Sequence, residues 1–265
     1  MAFDKDSIGG TLAAALVLCI VCGVVVSTAA VALRPQQEAN RILDRQSNVL
    51  RAAGRYSPEI DIAAEFEKIE HRFVDLRTGE EVEMPADYDQ QGAASDPEQS
   101  TLLTQSEDIA RVRRVPHVGE VYLARDEQGE LESIILPVHG YGLWSTMYGF
   151  LSLEADANTI AGLVFYEHGE TPGLGGEIDN PRWRQLWQGK QLLNDEGEVA
   201  IQVVKGSVDE RAPGAETRVD GLSGATLTSV GVSNMVRFWV GENGFGPFLE
   251  RLRESSSAAL DQGVR

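Results

Sequence analysis

The sequence has very few cysteines and an excess of acidic over basic residues. Its 265 residues include only two cysteines, Cys19 and Cys22, both in an apolar segment near the N-terminus. The rest of the chain therefore has no disulfide, no thiolate metal site and no cysteine nucleophile. Lys and Arg number 23 against 41 Asp and Glu, which gives a net charge of −18. Such a surface repels phosphate backbones, so we expect no nucleic-acid partner.

The usual signatures of catalysis and metal binding are also missing. The four histidines are scattered, and none stands in the H-x-x-x-H or C-x-x-C spacing of a metal site in the soluble part. The sequence contains no G-x-S-x-G elbow, no P-loop and no G-x-G-x-x-G fingerprint. We therefore predict no metal site and no catalytic residue. The composition itself, with 42% hydrophobic residues, is that of a globular protein with one sizeable domain or two small ones.

One long apolar run lies near the N-terminus. Residues 11–33 carry no charge, and a helix of that length can cross a bilayer core of about 30 Å. A cleaved signal peptide is the alternative, because residues 30–32 (A-V-A) resemble a cleavage site, but the run exceeds the roughly 7–15 residues of a signal core. We predict a retained transmembrane helix that follows a short tail at residues 1–10.

The charges that flank this helix favour one orientation weakly. Lys5 lies before the helix, whereas Arg34, Arg41, Arg45 and Arg51 follow it. By the positive-inside rule this count places the C-terminal domain in the cytoplasm, although long translocated domains often override it.

Residues 34–114 are predicted to be a helical segment followed by a polar insertion. Helical spacing of apolar residues over 34–57 indicates a helix that leaves the membrane. A second amphipathic helix is expected over 59–78, with His71 on the surface. Residues 79–109 are expected to form a loop with little regular structure. The apolar face of the second helix would consist of Ile60, Ala63, Phe66, Ile69 and Phe73.

From residue 115 to residue 252 the pattern changes to short apolar runs separated by turn residues. Two hairpins are predicted, with turns at residues 127–129 and 157–158. The fold class is therefore α+β, with a single N-terminal transmembrane helix, a mostly antiparallel sheet and flanking helices. The remaining predicted elements are a short helix opened by Pro181, a strand within 198–206, two closing helices separated by a glycine break, and a tail at 253–265.

The stretch Asp220–Ser229 (D-G-L-S-G-A-T-L-T-S) places hydroxyl residues and glycines before an apolar run. Free N–H groups at the start of a helix form an anion site, and a phosphate held there would lie close to the Thr226 hydroxyl. The alternative is an ordinary helix N-cap, with Ser223 as the capping residue.

Two other clusters could contact a flat ligand. Residues His168–Gly176 (H-G-E-T-P-G-L-G-G) form a loop whose backbone can approach a ring closely, with Leu174 against the ring face. Residues Gly140–Ser145 (G-Y-G-L-W-S) carry an aromatic side chain that could stack on a ring. A surface turn and a packed core aromatic are the respective alternatives.

The presence of all three clusters in this order is more specific than any one of them. Together with the N-terminal anchor, they resemble the FMN-binding domain family in which FMN is esterified to a threonine, with the C subunit of Na⁺-translocating NADH:quinone reductases as the best match. The resemblance covers the anchor and residues 115–252, and the polar stretch 79–109 carries little of it.

The resemblance implies an FMN bound by a phosphoester to Thr226, the last residue of S-G-A-T. A separate Mg²⁺-dependent flavin transferase would attach it from FAD and release AMP, and Asp220 matches the acidic position that this enzyme would recognise. Lys205 is expected near the phosphate or the ring because of its position after the predicted strand, and not because of the resemblance. The other positions implied around the cofactor are Ser223, Gly224, Ala225, Trp144, Ser145, Glu170, Thr171, Gly173 and Leu174.

The resemblance also implies a location and partners. The chain would be a single-pass protein of a bacterial inner membrane with its C-terminal domain in the periplasm, contrary to the arginine count. It would carry electrons in a complex of six subunits that couples oxidation of NADH by ubiquinone to sodium export. Three alternatives stay open: the G subunit of an Rnf-type complex, which shares S-G-A-T; a membrane-tethered FMN-binding sensor; and an anchor whose S-G-A-T is only a cap. The long insertion favours the quinone reductase over the Rnf-type complex.

Overall fold

A long N-terminal helix precedes an antiparallel sheet and two C-terminal helices in the computed structural model, which describes residues 8–85 and 88–263. The helices are α1 (Ile8–Ala52), α2 (Ile62–Phe66), α3 (Gln90–Ser95), α4 (Pro181–Gln185), α5 (Thr226–Val240) and α6 (Gly246–Gly263). The strands are β1 (Ile69–Asp75), β2 (Glu81–Val82), β3 (Ser100–Leu102), β4 (Arg114–Pro116), β5 (Val118–Arg125), β6 (Leu131–Tyr141), β7 (Thr146–Glu154), β8 (Ile160–Glu167), β9 (Gln202–Val203) and β10 (Arg218–Val219).

The helix α1 is continuous for 45 residues and passes through Pro35. Among the described residues, it is the one helix long and apolar enough to cross a membrane. Its large apolar side chains between residues 12 and 33 are exposed, as lipid contact requires. The predicted helix over 11–33 and its continuation beyond the apolar run are both confirmed. Residues 1–7 of the predicted tail lie outside the described residues.

The sheet has the strand order β2-β1-β5-β6-β7-β8, with every neighbouring pair antiparallel. Both predicted hairpins are present. In the first, the Asp126 carboxylate accepts hydrogen bonds from the N–H groups of Gln128 and Glu130, and Gly129 has φ of 87°. In the second, Ala157 adopts φ of 54° between β7 and β8. The predicted mostly antiparallel sheet is confirmed.

Each face of the sheet buries its own apolar cluster. On one face, α5 and α6 cover a core that includes Leu136, Met147 and Leu151. On the other face, the last turns of α1 pack Val49 and Leu50 among side chains of β5 to β8. The chain divides at Arg45 into two units, and both clusters belong to the second.

The predicted amphipathic helix over 59–78 is wrong beyond its first turns. Only Ile62–Phe66 is helical, with Asp61 as the capping residue, and Ile69–Asp75 forms the strand β1. The apolar spacing there is compatible with both a helix and a strand. All seven residues of β1 pair with β5, and this pairing favours the strand. His71 is half-buried rather than on the surface, and it stacks on Tyr122.

The polar insertion is more ordered than predicted. It contains β2, α3 and β3, and it buries Gln90, Ala93 and Ser100. Gln90 and Glu120 exchange hydrogen bonds, because the Glu120 N–H donates to Gln90 Oε1 at 2.7 Å and the Gln90 N–H donates to Glu120 Oε1 at 3.3 Å. The insertion is therefore fastened to β5 through a buried carboxylate.

Elements late in the chain follow the prediction except for one strand. The helix α4 begins at Pro181, and a break at residues 241–245 separates α5 from α6. The expected strand within 198–206 is reduced to β9, which pairs in parallel with β10. The helix α6 continues to Gly263, across the predicted tail. The predicted domain limits at 115 and 252 stay predictions, although the sheet already begins with β1.

Candidate functional site

The first cluster is the tight turn between β6 and β7. The Gly142 N–H donates to the Ser145 carbonyl at 2.9 Å, and the Tyr141 hydroxyl donates to the Trp144 carbonyl at 3.2 Å. These bonds close the turn and leave the Trp144 side chain 65% exposed. Trp144 is therefore no core residue, and the core-aromatic alternative is wrong.

The second cluster follows β8 and winds around one carbonyl group. The Thr171 carbonyl accepts hydrogen bonds from the N–H groups of Leu174 and Gly176 at 3.1 and 2.9 Å. Gly173 has φ of 76°, a conformation that side chains with a Cβ rarely adopt. Leu174 is left 45% exposed at the outer side of this loop.

The third cluster is the turn that leads into α5. The helix starts at Thr226 with Ala225 at the N-cap position, and no side chain caps it. The predicted capping role of Ser223 is therefore wrong, although a helix does start within this stretch as predicted. The first N–H groups of α5 lack internal partners, so they remain available to an anion. Thr226 is exposed at this end of the helix.

Direct contacts bring the three clusters together. The Gly169 N–H donates to Ser145 Oγ at 2.6 Å, which joins the first and second clusters. A Cβ on Gly224 would lie 3.1 Å from Leu174 Cδ2, so the second cluster touches the S-G-A-T turn. Gly224 itself has φ of 74°. The sequence order of the clusters thus becomes one surface in the fold.

Glu170 belongs to the second cluster, and its carboxylate contacts both the first and the third cluster. Its Oε1 accepts hydrogen bonds from the N–H groups of Leu143 and Trp144, both at 2.9 Å, and its Oε2 accepts one from Thr228 Oγ1 at 2.5 Å. Burial alone would raise the pKa of Glu170, but the hydrogen bonds from Thr228, Trp144, Leu143 and Ser145 outweigh it and hold the pKa below its usual value. The carboxylate is therefore ionised at neutral pH.

Asp220 and Lys205 lie at the edge of the S-G-A-T turn. The Asp220 carboxylate accepts a hydrogen bond from the Val208 N–H at 2.7 Å, and the Asp220 carbonyl accepts one from Trp183 Nε1 at 2.8 Å. The Gly221 N–H donates to the Gly206 carbonyl, which places the loop of Lys205 beside this turn. Lys205 is exposed, and the structure gives it no ion pair within the residues described.

The hydroxyl groups of the third cluster differ sharply in environment. Thr228 and Ser229 are buried, and each is engaged: Thr228 donates to Glu170, and Ser229 Oγ accepts from the Leu222 N–H at 3.0 Å. Ser223 and Thr226 are exposed. Sequence reasoning missed the roles of Thr228 and Ser229, because nothing in S-G-A-T-L-T-S distinguishes a buried hydroxyl from an exposed one.

The surface around Thr226 suits a ligand with an anionic group and a flat apolar ring. Uncapped N–H groups lie at the start of α5, and the side chains of Trp144, Leu174 and Leu227 are 65, 45 and 61% exposed. These three side chains come from the three clusters that direct contacts bring together, and contiguous exposed apolar patches mark binding sites. In the described part of the chain, no group of His, Cys, Asp and Glu is arranged to hold a metal ion.

Comparison with known proteins gives this arrangement a class. Residues 142–241 match the family model described as the FMN-binding domain. These residues include Trp144 of the first cluster and all of the second and third clusters. Residues 142–241 are therefore identified as an FMN-binding domain.

Whole-chain relatives define the family more narrowly. The C subunit of the Na(+)-translocating NADH-quinone reductase of Yersinia pestis is 48% identical over 97% of this chain and 98% of its own length. The same protein of Vibrio alginolyticus is 49% identical over 96% and 98%. A crystal structure of Shewanella oneidensis NqrC superposes with a TM-score of 0.73 at 38% identity, covering 80% of this chain and 97% of that one. The chain belongs to the family of C subunits of Na(+)-translocating NADH-quinone reductases.

Proposed function

We propose that the chain is a membrane-anchored flavoprotein that carries FMN through a phosphoester to Thr226. The observation that carries the proposal is the contrast among hydroxyls, since Thr226 is exposed at an uncapped helix start while Thr228 and Ser229 are buried and engaged. Ser223 is the other exposed hydroxyl, but it precedes the helix start. Thr226 lies at the first helical residue, where a phosphate on its hydroxyl comes within reach of the free N–H groups.

Attachment balances as a transfer from FAD by a separate flavin transferase. The Thr226 oxygen forms a bond to the FMN phosphorus, the pyrophosphate bond of FAD breaks, AMP leaves, and the hydroxyl proton passes to water. A covalent link removes cofactor dissociation between turnovers. Bound FMN supplies the electron-transfer chemistry, and the chain supplies position and surrounding charge.

This chain's own residues would hold the cofactor in two ways. The N–H groups at the start of α5 neutralise part of the phosphate charge, aided by the helix dipole. Trp144, which precedes Ser145, and Leu174, which lies beside Gly224, are exposed and provide apolar surface for the ring. Asp220, whose carboxylate holds the Val208 N–H, fixes the turn that the transferase would recognise.

The relatives support a role within a complex. Because they are named as the C subunit of a Na(+)-translocating NADH-quinone reductase, we propose that this chain passes electrons inside that assembly of six subunits, which oxidises NADH with ubiquinone and exports sodium. Residues 11–33 of α1 carry no carboxylate, so this segment alone offers no ion path. The anchor would lie in a bacterial inner membrane with the flavin domain in the periplasm.

The test is the intact mass of the full chain, produced in cells with a flavin transferase, for the wild type and three variants. The wild type, Ser223→Ala and Thr228→Val should each gain the mass of one FMN minus one water, and Thr226→Ala should gain nothing. An unmodified wild type, in cells where another acceptor is modified, would contradict the proposal and favour a noncovalent FMN-binding module. Purification with the other subunits and reduction of the flavin by NADH would separate an electron carrier from a sensor.

A further inference from the structure

We propose that Glu170 is a positioning residue, which fixes the turn that carries Trp144 against the first turn of α5 that carries Thr226. This inference rests on the proposed function of Thr226, and it concerns how the acceptor is held rather than what it carries. Glu170 was expected among the residues around the flavin because of its place in the loop. Its contacts assign it a role beneath the site instead.

Both carboxylate oxygens of Glu170 are occupied by protein groups. Oε1 accepts from the N–H groups of Leu143 and Trp144, and Oε2 accepts from the hydroxyl of Thr228. The residue is only 5% exposed. A carboxylate so enclosed is directed towards protein donors, and it connects segments that are distant in sequence, across 58 residues in the case of Thr228.

The surrounding backbone is shaped around this carboxylate. A Cβ on Gly142 would lie 2.5 Å from Glu170 Oε1, and a Cβ on Gly175 would lie 2.6 Å from Glu170 Oε2 and 2.5 Å from Thr228 Oγ1. Real Cβ atoms do not approach so closely, so a side chain at either position would displace the Glu170 carboxylate from its hydrogen bonds. Two of the glycines in the G-Y-G and L-G-G motifs are thus explained by Glu170 rather than by a ligand.

The bonds to Glu170 are of the strong, charge-assisted kind. An ionised acceptor roughly doubles the strength of a hydrogen bond, and removing it leaves its buried donors without a partner. Without Glu170, the N–H groups of Leu143 and Trp144 and the hydroxyl of Thr228 would each seek another acceptor. The Trp144 turn would then lose its hydrogen-bonded link to the first turn of α5, although Gly231 of α5 still packs against Tyr141 and Gly142.

Three variants of the full chain separate the link between Glu170 and the Trp144 turn from the link between Glu170 and α5. Glu170→Ala removes both links. Thr228→Val, which keeps the side-chain shape, removes only the bond to α5. In Glu170→Gln the two backbone donors orient the amide oxygen towards Leu143 and Trp144, so the amide nitrogen faces Thr228 and donates to its Oγ1, which keeps both links but removes the charge. The control is Glu177→Gln, because Glu177 lies in the same loop and accepts from Asn180.

Two readouts are needed, one of them on protein without flavin. The first is the fluorescence anisotropy of Trp144. Its signal is the part of the emission that acrylamide quenches, because Trp183, Trp187 and Trp239 are buried. The second is the rate at which the transferase attaches FMN. Glu170→Ala should lower the anisotropy and slow attachment about tenfold or more. Thr228→Val should keep the anisotropy and slow attachment about threefold or more, as expected for loss of one buried hydrogen bond. Glu170→Gln, which keeps both links, should restore the anisotropy and lie closer to the wild type than Glu170→Ala in the rate of attachment.

The outcomes decide the proposal separately from the proposed function. If Glu170→Ala matches Glu177→Gln in both readouts, Glu170 does not position the site. If Thr228→Val attaches FMN at the wild-type rate, the link to α5 is wrong, and this variant decides the matter should Glu170→Ala fail to fold. If the wild type accepts no FMN, the proposed function fails, and the anisotropy of the flavin-free proteins still tests whether Glu170 holds the Trp144 turn.

Discussion

At the scale of single residues, hydrogen-bond partners sort chemically similar groups into different roles. Thr226 and Thr228 are two positions apart, yet one is exposed at a helix start and the other is buried against Glu170. Gly175 and Gly176 are adjacent, yet only at Gly175 would a Cβ atom clash with the side chains of Glu170 and Thr228. The chemistry of a short motif therefore depends on which of its members the fold has already engaged.

A methyl group at Gly175 should disturb the site more than its size suggests. We expect Gly175→Ala to lower the free energy of unfolding by about 1–3 kcal/mol, because the new Cβ would meet Thr228 Oγ1 and Glu170 Oε2 within 2.6 Å. Gly162→Ala is the control, since the nearest atom to its Cβ would be 3.9 Å away. Urea unfolding of the full chain in detergent measures both, and equal stabilities would contradict the clash.

His139 should make stability depend on pH. Burial beside Tyr148 and Trp239 lowers the pKa of His139 to about 4, from 6.5. The unfolded chain then binds the proton more readily, so the contribution is fully present above pH 6.5 and is lost as the pH falls towards 4. Between pH 6.5 and 5 the unfolding free energy should drop by roughly 2 kcal/mol from this group.

The matching variant for this effect is His139→Gln, which cannot take up the proton. At pH 8 both side chains are uncharged, so the difference in stability there measures packing alone. Relative to that difference, the variant should lose less stability than the wild type on acidification. Parallel stability curves from pH 8 to pH 5 would show that His139 does not titrate in the unfolded chain alone.

At the scale of elements, the sequence predicted secondary structure well where the apolar residues followed only one periodicity, that of a helix or that of a strand. The two hairpins were predictable because apolar runs alternate with strong turn residues such as Asp126 and Gly129. The strand β1 was not, because its apolar residues also fit a helical spacing and its partner β5 is remote in sequence. Order in the insertion was missed for a similar reason, since Gln90 gains its partner only when Glu120 is brought to it.

The insertion should contribute to stability through Gln90. In Gln90→Ala the buried N–H group of Glu120 loses its acceptor, which should cost about 1–3 kcal/mol of unfolding free energy. Gln91→Ala is the matched control, because this neighbour is exposed and its side chain donates a hydrogen bond to the Tyr166 hydroxyl at the surface. It should change stability by less than about 0.5 kcal/mol. Equal effects in urea unfolding would mean that the insertion is not fastened through Glu120.

At the scale of the whole molecule, an apolar anchor is joined to an acidic flavin domain. The membrane helix could be predicted directly, because 23 uncharged residues have few other uses. The site could be predicted in part. The three clusters were visible in the sequence, but their convergence depends on the sheet. The hydrogen bonds that Glu170 accepts depend on contacts over long sequence separations. Orientation could not be decided from the residues, since the arginine count and the family disagree.

Protease accessibility tests the orientation. Proteinase added to intact spheroplasts should digest the domain that follows α1, and inverted membrane vesicles should protect it. A C-terminal epitope tag reports the outcome, with a cytoplasmic protein as the control for leakage. Protection in spheroplasts and digestion in inverted vesicles would contradict the periplasmic assignment and support the arginine count.

The most direct test of the account is peptide mapping of the chain isolated from its own membranes. Trypsin should release residues 219–237, a single peptide that contains Ser223, Thr226, Thr228 and Ser229. We predict that fragmentation by mass spectrometry places one FMN, linked through its phosphate, on Thr226. A flavin on Ser223, or a peptide that carries none in a complex reducible by NADH, would contradict the central claim.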